Sequence, residues 1–126
     1  MTKVAFGNHS AIRVPHNLQE KIRKFYGVVL GCEITKKSED VDYFQMGDGF
    51  FVAFLYEDNA LAESQWLKSI WLEIKADDVP NMKQKILTFG VREVNSWDKS
   101  HLYFQAPGGQ VFRLVGTNED LSRFER

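Results

Sequence analysis

Apolar residues along this chain alternate, shift to helical spacing, return to alternation, and then repeat the whole order. Residues 9–14 (His-Ser-Ala-Ile-Arg-Val) alternate and stop at Pro15, which predicts a strand. Leu18, Ile22, Phe25 and Val29 follow at spacings of four, three and four, one apolar face of a helix. Asn17, with Glu20 three residues on, reads as its cap and Gly31 as its stop. Three short strands come next, about 32–36, 41–46 and 50–57, with Gly47-Asp48-Gly49 as the last hairpin turn. Residues 70–76 then alternate again. Asp77 or Asp78 caps a second helix, with Pro80 in its first turn and Val79, Met82 and Ile86 on its buried face. Gly90 ends it. Strands near 91–96, 101–106 and 110–116 follow, with Pro107-Gly108-Gly109 as the last turn.

The repetition extends to residue identity. Tyr43-Phe44-Gln45 and Gly49 return as Tyr103-Phe104-Gln105 and Gly109, each followed by an apolar run. Two copies do not make a solenoid; they predict two similar halves related by a pseudo-two-fold. Each half reads strand-helix-strand-strand-strand, an α+β chain of two βαβββ modules in one domain. The first spans about 8–57 and the second about 69–117. A linker at about 58–68, with room for a helical turn, joins them. A polar tail, 118–126, carries Leu121 and Phe124 and reads as a short helix or a frayed end.

A helix covers one face of each four-stranded sheet, and two such sheets side by side predict an open cleft on the other face. Alternation sends Ile12, Val14, Leu72, Ile74, Phe112 and Leu114 to the helices. It sends His9, Ala11, Arg13, Ala53, Leu55, Trp71, Glu73, Lys75, Val111 and Arg113 to the cleft.

Composition narrows the function. The 126 residues carry 16 basic and 17 acidic side chains, a net charge of −1, with no basic block. Nucleic acid and acidic membranes are therefore disfavoured as partners. No apolar stretch approaches a membrane span, and the first residues lack the apolar core of a signal peptide. One cysteine, Cys32, cannot form an internal disulfide, and it reads as a small buried hydrophobe. These features place the protein in the cytoplasm by default. Gly108-Gly109 sits in a hairpin turn, not before a helix, so it is no phosphate cradle.

His9-Ser-Ala-Ile-Arg-Val14, then Phe25-Tyr26 and Leu30-Gly31, resembles the opening of the glyoxalase, bleomycin-resistance and extradiol-dioxygenase group, the vicinal oxygen chelate superfamily. Ala76-Asp77-Asp78-Val79 and the run from Tyr103 through Pro107 and Gly109 to Leu114 resemble its second half. The resemblance covers nearly the whole chain. It implies a homodimer and a small-molecule ligand. It also implies four metal-ligand positions, two per half, which here hold His9, Ala53, Trp71 and Arg113. Only His9 is a ligand type: Ala53 has no donor atom, the indole of Trp71 has no free lone pair, and Arg113 is a fixed cation. A divalent ion needs about three N, O or S ligands. The resemblance thus leads to a metal-free site with no cofactor.

Alternatives stay open at this stage. The first is a binding protein of the bleomycin-resistance type that holds an aromatic or anionic ligand with His9, Arg13, Ala53, Trp71, Glu73 and Arg113. Against it, Trp71 is ordinary packing and Arg113 pairs with Glu73. The second is a lyase- or isomerase-like enzyme with His9 as catalytic base and Glu73 or Glu57 as partner, or a displaced metal site of His9, Glu73 and His101. The third is a protein-interaction module presenting Trp66, Trp97 and Phe124.

Overall fold

The computed structural model describes residues 2–67 and 69–122. The chain divides into two compact units, the first ending at Leu61 and the second beginning at Ala62. Phe124, in the tail, lies outside the described residues.

The first unit opens with β1 (His9–Val14), a 3₁₀ turn (His16–Leu18) and α1 (Gln19–Ile22), which continues as a π-helical stretch over Arg23–Val29. β2 (Glu33–Lys37), β3 (Val41–Gln45) and β4 (Phe51–Tyr56) complete it. The strand order is β1-β4-β3-β2, with β1 parallel to β4 and the remaining pairs antiparallel. A parallel pair needs a long crossover, and the helical segment begins it.

The second unit has α2 (Glu63–Trp66), β5 (Trp71–Ala76), α3 (Val79–Phe89), β6 (Arg92–Glu93), β7 (Leu102–Gln105) and β8 (Val111–Gly116). Its order, β5-β8-β7-β6, copies the first, and β5 is again parallel to β8. α2 is the helical turn expected in the linker.

Apolar packing on the helix face holds each unit. Ile12, Val14, Ile22, Phe25, Tyr26, Phe44, Val52 and Phe54 are buried in the first. The Tyr26 and Phe54 rings lie 4.7 Å apart, and Phe44 meets Phe54 edge to face at 5.7 Å. One charge sits among them. Asp42 is fully buried and accepts hydrogen bonds from Arg23 Nε (2.8 Å), from a terminal Arg23 nitrogen (3.0 Å) and from the Tyr56 hydroxyl (2.8 Å). A buried carboxylate is tolerable only when paired in this way. In the second unit Ile86, Leu102, Phe104, Phe112 and Leu114 are buried.

Three local expectations are corrected. Asn17 does not cap the first helix: Pro15 precedes a 3₁₀ turn closed by Leu18 N–H on Pro15 C=O (3.2 Å), and no side chain caps the turn or α1. The helix then widens. Leu30 N–H bonds the Phe25 carbonyl five residues back (2.9 Å), and the extra residue per turn lets the neighbours Phe25 and Tyr26 both enter the core. The strand expected at 91–96 is only Arg92–Glu93. One further ladder bond, Val94 N–H to Tyr103 C=O (2.8 Å), precedes a loop that Asp98 organises by accepting the Ser100 N–H (2.9 Å). The second helix behaves as expected: Asp78 accepts the Asn81 N–H (3.1 Å), and Gly90 ends it with φ 97°.

The repeated Tyr-Phe-Gln has a structural cause. Phe44 and Phe104 are fully buried on the helix face. Gln45 and Gln105 brace the following turns, donating to Gly47 C=O (3.2 Å) and Gly109 C=O (3.0 Å). Tyr43 and Tyr103 point to the opposite face. In the second copy Gln105 also donates to Glu63 C=O (2.7 Å), and Trp66 packs directly on Gly109.

Gly109 therefore tests this clamp. Its φ is 117°, and a Cβ there would lie 2.5 Å from Trp66 Cδ1. Gly47 has φ 92° but open space around it. Gly47→Ala should cost about 1–2 kcal/mol in urea unfolding from backbone strain alone. Gly109→Ala should cost about 1–3 kcal/mol more from overpacking. Equal losses at the two positions would contradict the clamp.

Candidate functional site

The faces turned away from the helices carry the residues singled out from the sequence. In the first unit the register aligns His9 with Phe51, Ala11 with Ala53 and Arg13 with Leu55, and sets Tyr43 beside Ala53. His9, Ala11 and Arg13 are exposed, as alternation requires. The His9 and Tyr43 rings lie 6.2 Å apart although β4 separates their strands. Ala53 belongs to that intervening strand, and its side chain is small enough to let the rings lean together. Ala53 is thus 1% exposed, lining the floor of the site and not its surface. His9 Nδ1 is 3.0 Å from Asn8 Oδ1, and among the described residues no carboxylate bonds it. Arg13 pairs at 3.3 Å with Glu57, both well exposed. Lys36 sits 5.7 Å above the Tyr43 ring.

The second unit keeps the geometry and changes the chemistry. Trp71 aligns with Val111 and Glu73 with Arg113, and Tyr103 lies beside Arg113. Trp71 occupies the place of His9, and Arg113 the place of Ala53. Trp71 meets Tyr103 edge to face at 5.6 Å, and the Arg113 guanidinium lies 4.9 Å from the Trp71 ring centroid, a cation–π contact. Trp71 stays 46% exposed, while Arg113 is only 7% exposed.

Arg113 is fully occupied. Its Nε donates to Glu73 Oε2 at 3.0 Å, and a terminal nitrogen reaches the same oxygen. The other terminal nitrogen lies 3.4 Å from the Tyr103 hydroxyl and 3.5 Å from Asp98 Oδ2. Tyr103, Val111 and Val115 are buried with it, so this face is more closed along β7 and β8 than alternation alone predicts. One reason is that the loop before β7 lays Asp98 onto the face.

Asp98 extends the network. Its Oδ2 is 2.6 Å from His101 Nδ1, and His101 Nε2 contacts Glu119 in the segment after β8. The His101 side chain is 6% exposed. Burial on its own would raise the Asp98 pKa. The Ser100 N–H outweighs it together with His101 and Arg113, and holds the carboxyl below its ordinary value. Glu119 is lowered too, first by the Gly116 N–H and then by His101.

Sequence reasoning missed Asp98 and Glu119. Ser96-Trp97-Asp98-Lys99-Ser100 has the Asx-turn composition that could have marked Asp98 as structural. Nothing local marks Glu119, because its partner is 18 residues away. Of the displaced metal set of His9, Glu73 and His101, the last two are already engaged within the second unit. Glu73 is bonded to Arg113, and both His101 nitrogens face carboxylates. Among the described residues no three His, Cys, Asp or Glu side chains are grouped to hold a metal ion. Cys32 is half-buried, and burial pushes its thiol up to about 11, away from thiolate chemistry at neutral pH. No helix among the described residues is long and apolar enough to cross a membrane.

Two outcomes follow from the network. Arg113→Met leaves Glu73 without its partner and Asp98 with only Ser100 and His101, and should cost about 1–3 kcal/mol in urea unfolding. His9→Ala, at an exposed position, should change stability by no more than about 0.5 kcal/mol. Because the folded pKa values of Asp98 and Glu119 are depressed, their contribution is complete above their ordinary values near 4. It is lost as pH falls through the folded values. The thermal midpoint should drop on acidification from pH 5 to pH 3, and drop less in Asp98→Asn, measured by circular dichroism.

The sequence matches no protein-family model and no curated protein. Its backbone is similar to that of several solved proteins. A fosfomycin resistance protein of Listeria monocytogenes, solved with Mn(II) and a dihydroxypropylphosphonic acid, superposes with a TM-score of 0.69 at 18% identity, covering 98% of this chain and 100% of that one. The trypanothione-dependent glyoxalase I of Leishmania major gives 0.66 at 19% identity, covering 90% and 87%. A glyoxalase-related enzyme of Fulvimarina pelagi gives 0.67 at 16% identity, covering 93% and 89%. The chain therefore shares the fold of these glyoxalase and fosfomycin-resistance proteins, two βαβββ modules in tandem.

Proposed function

We propose that this chain is a metal-independent binding protein on that fold, holding a small organic ligand with an aromatic part. One observation carries the reading: the position where the resemblance places a metal ligand on β8 is a guanidinium, Arg113, held by Glu73, Tyr103 and Asp98. A fixed cation there opposes a divalent ion. Ala53 and Trp71 add no ligand atom, which leaves His9 alone, and one imidazole is too few. The residues present therefore do not fit the metal of the fold's catalytic members.

The same geometry divides the work of recognition. Arg113 is neutralised by its own partners, so it orients and backs Trp71 and is not the anion receptor. Trp71, backed on one side by the guanidinium and 46% exposed, offers a stacking surface. In the first unit the cations free for a ligand are Arg13, whose pairing with Glu57 is exposed and weak, and Lys36 over Tyr43. In the same unit His9 is an exposed hydrogen-bonding group. We carry the homodimer forward as part of this proposal; its support is the family resemblance.

Fluorescence tests it. In chelator-containing buffer, a panel of aromatic carboxylates and their neutral amides should include a saturable quencher of tryptophan emission. Its affinity should be unchanged by removing the chelator and adding Mn(II). Trp71→Ala should weaken it at least tenfold, about 1.4 kcal/mol. Binding that requires added metal, or that survives Trp71→Ala intact, would contradict the proposal.

A further inference from the structure

His16 lies outside the faces described so far, in the 3₁₀ turn after β1, and both its ring nitrogens are engaged by carboxylates. Nδ1 is 3.1 Å from Asp58 Oδ1, and Nε2 is 3.2 Å from Asp40 Oδ1. Neutral imidazole has one N–H and one lone pair, so it can donate to only one of them. The other nitrogen would set its lone pair against a carboxylate oxygen. Imidazolium donates to both. The arrangement is therefore complete only when His16 is protonated.

The two carboxylates come from different places. Asp40 sits in the turn between β2 and β3. That turn is also tied down by Gln19, which donates to Ser38 C=O (3.0 Å) and Glu39 C=O (3.2 Å), and by Arg23, which donates to Ser38 C=O (2.8 Å). Asp58 sits just past β4, three residues before the end of the first unit at Leu61. Glu57 N–H still bonds Val14 C=O (2.8 Å), and no other hydrogen bond or ion pair of Asp58 was found among the described residues. His16 is thus what fastens the start of the inter-unit segment to the first unit.

We propose that His16 is a proton-operated latch, clasping the segment that leaves β4 to the turn between β2 and β3 when charged and releasing it when neutral. The groups that face it are few. Asp40 and Asp58 are its charged neighbours, and the Tyr56 ring lies 6.2 Å away. The Arg13–Glu57 pair joins the end of β1 to the residue after β4. The Asp40 hydrogen bond is the largest influence on its pKa, upward; desolvation, the next largest, opposes it, and Asp58 adds to the rise. With the folded pKa raised, the latch's stabilisation is complete below the ordinary histidine value of about 6.5 and is lost as pH rises through the folded value.

Nuclear magnetic resonance of the whole chain tests the latch. The His16 Cε1–H titration should give a pKa above the ordinary value. Asp40→Asn and Asp58→Asn should each lower it, and the double change should lower it most. Steady-state heteronuclear NOE values for residues 58–61 should fall between pH 6 and pH 8.5 in the wild type and be low at both pH values in His16→Gln. A His16 titration unmoved by both substitutions would overturn the proposal. So would equal backbone order at the two pH values in the wild type. None of these readings involves the candidate ligand face, so they stand apart from the test of binding.

Discussion

A guanidinium buried in the middle of a β-sheet constrains everything around it. Arg113 sits on a central strand at 7% exposure, where an unpaired charge would cost several kcal/mol. Its neighbours answer that cost. Glu73 faces it across the parallel register, Tyr103 flanks it on β7, and Asp98 is delivered by the loop that cuts β6 short. Asp98 in turn engages His101, and His101 reaches Glu119 beyond β8. One strand position is thus linked, contact by contact, to the loop before β7 and to the segment after β8.

The tandem architecture makes the consequence visible by comparison within the chain. At the same two positions the first unit has Ala11 and Ala53, where the second has Glu73 and Arg113. The alanines leave space that the His9 and Tyr43 rings lean over. The ion pair fills that space and supports Trp71. The backbone plan is the same, but one face is left apolar and aromatic while the other is built around charge. The four positions where the resemblance expects metal ligands hold His9, Ala53, Trp71 and Arg113, and the proposed function therefore rests on stacking and surface cations.

Periodicity made most of this fold legible. The alternation at 9–14, 70–76 and 110–116 and the spacing from Leu18 to Val29 depend on which side of a layer a residue faces, and that signal is local. The repeat of Tyr-Phe-Gln was legible as well, because the same turn demands the same brace twice. What stayed hidden depends on partners distant in sequence. The burial of Asp42 needs Arg23 and Tyr56, the π-helical widening needs two adjacent aromatics to share one core, and Glu119 matters only because His101 lies under it. Nothing near His16 in sequence reveals that two aspartates converge on its ring. The candidate site was half legible: alternation placed Trp71, Glu73 and Arg113 on one face, and the structure bonds the last two to each other.

The account turns on whether this protein needs a metal. Calorimetric titration of chelator-stripped protein with Ni(II), Zn(II), Co(II), Mn(II) and Fe(II), beside His9→Ala, decides it. The account predicts no stoichiometric heat that depends on His9 and no metal-induced rise in thermal midpoint. Stoichiometric binding in the wild type that disappears in His9→Ala would contradict it and would make His9 a true metal ligand.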